Sequence, residues 1–133
     1  MNTMTLSGCH TLELIPIDLL TRFARVGSRV LIQVLGTPYH VDEVPGTVKV
    51  SSSSENGVIK KKITFERVCT KALDVDILSA YKSARLIATY RDEKGNRRVS
   101  GSPNYPLSLN FTIGEGVFSC ELEGEDTEPD AFL

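Results

Sequence analysis

Pro106-Leu-Ser-Leu-Asn-Phe-Thr-Ile113, then Gly114-Glu-Gly116, then Val117-Phe-Ser-Cys-Glu-Leu-Glu123, is the stretch that decides the fold class. Leu107, Leu109, Phe111 and Ile113 alternate with Ser108, Asn110 and Thr112. A period of two places them on opposite faces of a β-strand. The glycines turn the chain, and Phe118, Cys120 and Leu122 repeat the pattern on the way back. The reading is a hairpin whose apolar face is core, with all four residues from Leu107 to Ile113 inward.

Val58 to Arg67 repeats the pattern, with Ile59, Lys61, Ile63 and Phe65 on one face and Lys60, Lys62, Thr64 and Glu66 on the other. It follows Ser51-Ser-Ser-Ser-Glu-Asn-Gly57, where Asn56-Gly57 is a strong hairpin turn signal. The serines bury nothing that would offset their ordering entropy, so the tip of this hairpin is expected to be mobile. Gly46 to Ser51 is the preceding strand, with Val48 and Val50 on one face.

Ser28 to Leu35 is nearly continuously apolar and is expected to be a central strand covered on both faces. Arg85–Arg91 and Arg97–Gly101 flank Asp92-Glu-Lys-Gly95-Asn96, a hairpin turn. Leu73–Ala84 is the one helix, with Leu73, Ile77, Ala80, Tyr81 and Ala84 at three- and four-residue spacing and Asp74 or Asp76 as cap. Thr11 to Ile17 is a short strand that Pro16 confines to an edge or an end, and Asp18–Phe23 is one helical turn. No internal repeat is present. The fold class is therefore mainly β, an antiparallel barrel or sandwich of six to eight strands with one helix at about 73–84.

The 133 residues fit one domain, and 41% hydrophobic with 24% charged residues is a globular composition. No apolar run approaches the roughly 20 residues of a membrane helix, and the start lacks the pattern of a secretory signal. The reading is no membrane partner and reduced thiols. Cys9, Cys69 and Cys120 share no short spacing, which argues against a zinc site and against a planned disulfide set; a Cys69–Cys120 bridge would need two strands to meet there.

The net charge of −2 is unevenly spread. Glu121, Glu123, Glu125, Asp126, Glu128 and Asp130 crowd the last stretch without a base, leaving residues 1–120 at 11 acids against 15 bases, or +4. A domain over 1–122 and an acidic arm over 123–133 follow from this. The arm is either a solvated tail or a connector to a basic surface on another subunit. As a connector it has Lys60, Lys61, Lys62, Arg97 and Arg98 as landing sites, with Phe132 and Leu133 as its apolar anchor. A +4 body is too weakly basic for a nucleic-acid footprint, and 7% aromatics without tryptophan make a poor stacking platform.

Catalytic chemistry finds little support. His10 and His40 sit in no nucleophile or metal motif, and Gly114-Glu-Gly116 lies between strands, where a phosphate cradle does not form. The expectation is no enzyme, no cofactor and no metal.

The stretch from Tyr90 to Phe111, with Leu122-Glu-Gly124-Glu-Asp-Thr127 and Ala131-Phe132, resembles the C-terminal part of small structural proteins of prophages and tailed phages of gut Bacteroidales. The resemblance covers roughly residues 72–133. It implies a component of the tail or head–tail region that self-assembles or binds other particle proteins, present in the cytoplasm during assembly and in the virion afterwards. The competing class is a stand-alone β-barrel module that binds a peptide or small ligand.

Overall fold

The computed structural model describes residues 2–69 and 71–133. Its elements are β1 (Asn2–Leu6), β2 (His10–Pro16), a 3-10 turn (Ile17–Leu19), β3 (Leu20–Val26), β4 (Arg29–Val34), β5 (Tyr39–His40) and β6 (Lys49–Glu55). Then follow β7 (Val58–Val68), α1 (Ala72–Lys82), β8 (Leu86–Arg91), β9 (Arg97–Ser100), β10 (Ser108–Ile113), β11 (Val117–Asp126) and β12 (Ala131–Phe132). Among the described residues the strands form two sandwich-like sheets and no closed barrel, in the orders β1-β6-β7-β11-β10 and β3-β4-β12-β9-β8-β2-β5. The twelve strands described exceed the expected six to eight. The additions are mostly short or edge pieces that carry no alternation of their own.

The deciding hairpin has the expected register: Leu109 faces Leu122, Phe111 faces Cys120 and Ile113 faces Phe118. Burial fades along it, because β10 is an edge strand. Leu107 and Leu109 are buried and Phe111 only half-buried, and Ile113 is 67% exposed. Leu12, Leu14 and Ala88 of one sheet and Val50, Ile63, Phe65, Phe118 and Leu122 of the other fill the principal core.

Asn56 and Gly57, both at positive φ, form the two-residue turn between β6 and β7. The serines before them are not a mobile tip. Ser51–Ser54 pair on both sides, from Asn2↔Ser54 to Thr5↔Ser51 on β1 and from Ser51↔Lys62 to Ser54↔Ile59 on β7. Backbone pairing on two edges orders them without help from their side chains.

The strand covered on both faces is β8, not β4. Leu86, Ala88 and Tyr90 face the principal core, while Ile87 joins Ile15 and Val99 in a second cluster behind the sheet. Phe23, Ile32 and Val34 of the β3–β4 hairpin cover that cluster, so one face of β4 is buried and the other wet. The supposed helical turn at Asp18–Phe23 is a 3-10 turn leading into β3.

Helix α1 is placed as expected, but its buried face is rotated. Leu78 is its buried residue, flanked by Val75 and Tyr81, and Tyr81 stacks on Tyr39 at 4.7 Å. Leu73 and Ala80 face solvent. Asp74 accepts the Lys71 backbone N–H at 3.1 Å and an Arg67 N–H at 3.1 Å, tying the helix start to β7.

Residues 123–133 do not leave the domain. β11 continues to Asp126, with Glu123 opposite Lys62 and Glu125 opposite Lys60, and β12 then enters the second sheet. Carboxylates that would repel one another as a free tail are here spread through the fold, and Glu121, Glu123, Asp126, Glu128 and Asp130 each pair with a base.

Candidate interaction site

Lys61 is the centre of the site. Its position among Ile59, Ile63 and Phe65 turns it inward, and it is only 5% exposed. An ammonium removed from water costs several kcal/mol unless it is paired. Here it lies 3.1 Å from Asp126 Oδ2 and 3.0 Å from Asp130 Oδ1. Asp126 Oδ1 also accepts the backbone N–H groups of Thr127 (2.7 Å) and Glu128 (3.2 Å), turning the chain out of β11.

The chain beyond that turn is held by residues distant in sequence. Tyr90 donates its hydroxyl to Asp130 Oδ2 at 2.5 Å. Burial and the Asp130 carboxylate push the Tyr90 phenol far above its ordinary pKa, so it remains a donor. Arg98 donates to the backbone oxygens of Asp130 (2.8 Å) and Ala131 (3.3 Å), and its guanidinium lies 4.2 Å over the Phe132 ring. Arg25 pairs with Glu128 at 2.6 Å and donates to the Pro129 carbonyl at 3.0 Å.

The segment ends in a slot. β12 runs parallel to β4, with Phe132 opposite Arg29, and antiparallel to β9, with Ala131 opposite Val99. The Phe132 N–H donates to the Ser28 carbonyl at 2.7 Å and the Leu133 N–H to the Arg97 carbonyl at 3.0 Å. Ala131 is buried between the strands.

Of the seven residues expected at an interface, the structure brings three together: Lys61, Arg98 and Phe132. Lys60 is exposed on the outer face, and Lys62 pairs there with Glu121 and, at 3.6 Å, Glu123. Exposed pairs of that kind contribute little. The Arg97 side chain reaches Glu13 at 3.2 Å, and Leu133, partly exposed, meets Arg97 through its backbone N–H and lies outside the Arg98 stack. Lys61, Lys62 and Arg98 therefore contact the acidic segment of the same chain, whereas the Arg97 side chain turns to Glu13 instead. Arg25, Tyr90, Asp126 and Asp130 were not singled out. The available signal was a lysine on an otherwise apolar strand face, which requires a carboxylate brought from elsewhere.

A cavity of ≈ 230 Å³ adjoins the ion cluster, walled by Leu6, Val50 and Ile59 and closed by Lys61, Tyr90 and Asp130. Beside the slot, the β3–β4 hairpin turns an apolar strip outward. Val26 is 80% exposed, Leu31 50% and Leu35 67%, with Arg22, Arg29 and Gln33 among them. β3 is an edge strand, paired on one side only.

At the other end of β2, His10 contacts Thr11 Oγ1 at 2.8 Å and His40 lies 3.5 Å from Glu13. No group of three or more His, Cys, Asp or Glu side chains is arranged to hold a metal among the described residues. All three cysteines are free, so the Cys69–Cys120 bridge is not formed, and burial pushes the Cys120 thiol up to about 11. Among the described residues no helix is long and apolar enough to cross a membrane. The chain matches no protein-family model, and no curated protein and no solved structure is significantly similar to it.

Proposed function

We propose that the protein is a non-enzymatic structural component that works by self-assembly and contacts with other proteins, in a phage or prophage particle of the tail or head–tail type that the sequence resemblance implies. The observation that carries this reading is the β3–β4 hairpin. It joins a free strand edge to an exposed strip of Val26, Leu31 and Leu35. Exposed sheet edges offer unpaired N–H and C=O groups to another chain, and the exposed apolar side chains beside this edge add area to bury.

A stand-alone binding module is the second reading, favoured by the ≈ 230 Å³ cavity. Ligand pockets usually occupy about 300–1,000 Å³, so the cavity is small for that role.

Sedimentation of the parent chain against a Val26→Lys/Leu31→Lys variant separates the two. Assembly predicts dimers or rings at micromolar parent protein. The variant should be monomeric, with stability changed by no more than about 0.5 kcal/mol, as for most surface substitutions. A strictly monomeric parent overturns the proposal.

A further inference from the structure

We propose that β12 is an exchangeable strand: residues 127–133 of one copy can fill the slot between β4 and β9 of a second copy. The inference rests on the assembly reading and deepens it by naming the partner and the site.

The first ground is the provenance of the contacts. Ser28, Arg25, Lys61, Tyr90, Arg97 and Arg98 hold the segment, and none of them belongs to β11, the strand that delivers it. The same bonds therefore form whether the segment comes from its own copy or from another. Exchange of an identical element is a low-cost route to association for that reason.

The second ground is topology. β12 is the sole ladder partner linking β4 to β9 in the sheet order among the described residues, and it does so with two residues. Without it the β3–β4 hairpin loses its ladder connection to the sheet, and β4 and β9 each present one unpaired edge. An incomplete sheet completed by a neighbour's strand is an established mode of protein assembly.

The third ground is the hinge. Asp126 is fixed by Lys61, whereas Thr127, Glu128 and Pro129 are exposed. Extended, residues 127–129 carry Asp130 roughly 13–14 Å from Asp126, enough to cross to a copy abutting at this edge. Arg25 and Lys61 on the body complement Glu128 and Asp130 on the segment, which selects this strand over an uncharged one. Val26 pairs with Arg29, which pairs with Phe132, so an exchanged pair of copies meets beside the exposed hairpin strip.

The test mixes two full-length variants, Ala131→Cys and Val99→Cys, each also carrying Cys69→Ser. Ala131 and Val99 are antiparallel partners. Directly opposed residues lie about 4.5–5.5 Å apart at Cα, within reach of a disulfide. After prolonged incubation and oxidation, exchange yields a covalent heterodimer on non-reducing electrophoresis, in an amount that grows with protein concentration. A single chain carrying both cysteines closes its own bridge and controls for geometry. If that control closes while the mixture gives no heterodimer, exchange is overturned. Should either single variant melt early, the chain ending at Asp126 is titrated with a peptide of residues 127–133. A rising melting temperature supports an occupiable slot, and no shift overturns it. Assembly abolished by Val26→Lys/Leu31→Lys, with no heterodimer in the mixture, removes the exchange and leaves the assembly reading standing.

Discussion

The principal core and the seam around Lys61 lie between the same two sheets, yet they are held by opposite chemistry. In the core, Leu12, Leu14, Ile63, Phe65, Phe118 and Leu122 exclude water by shape and volume. In the seam, Lys61, Asp126, Asp130, Tyr90 and Arg98 exclude one another's desolvation cost by pairing. Apolar contacts tolerate any partner of the right size, whereas a buried ion tolerates only its complement. The core therefore fixes that the sheets stack, and the seam fixes which segment closes their end.

Emptying the core should have the largest effect. Phe118→Ala is expected to cost about 3–5 kcal/mol in urea unfolding, the usual range for a buried phenyl site. Phe111→Ala, half-buried on the edge strand beside it, should cost roughly half as much. Equal losses at the two positions would show that β10 packs as deeply as β11 and would erase the gradient along the hairpin.

Lys61→Met tests the seam. It leaves Asp126 and Asp130 without their cation, and breaking a buried pair on one side typically costs about 3–5 kcal/mol. The adjoining cavity gives water a route to the carboxylates, so a loss of about 3 kcal/mol, at the lower end, is expected. A change below about 1 kcal/mol would mean that the seam contributes no more than a surface pair and does not secure β12.

Alkaline pH probes the core from another side and should have the smallest effect. The Cys120 thiol sits near 11 in the fold against an ordinary value of 9.0. Between those values the unfolded chain has released a proton that the folded chain keeps, so stability falls as pH rises. The loss is on the order of 2–3 kcal/mol by pH 11. Tyr90, also pushed up, acts in the same direction at the upper end of that window. Denaturant melts from pH 8 to 11 check this, and Cys120→Ala should flatten the part of the slope between 9 and 11. An unchanged slope in that variant assigns the pH dependence to other groups.

Much of this protein was determined by sequence alone. The period of two in Leu107–Ile113 and Phe118–Leu122 set the strands and which side chains share a face, though not that the edge position of β10 leaves Ile113 exposed, and Asn56-Gly57 set a two-residue hairpin, because side-chain alternation and left-handed turn residues are local properties. Lys61 was already on the inward face. Tertiary structure decided the rest. A continuous apolar run reads alike whether a strand is sandwiched, as Leu86–Tyr90 is, or folded over a second cluster, as Arg29–Val34 is. The serine run carries no pattern of its own and is ordered only because β1 pairs on its far side. Six crowded acids look like a tail until the fold supplies Lys61, Lys62 and Arg25. Charge along a chain states what must be neutralised, and only the folded arrangement states by which residue and from which direction.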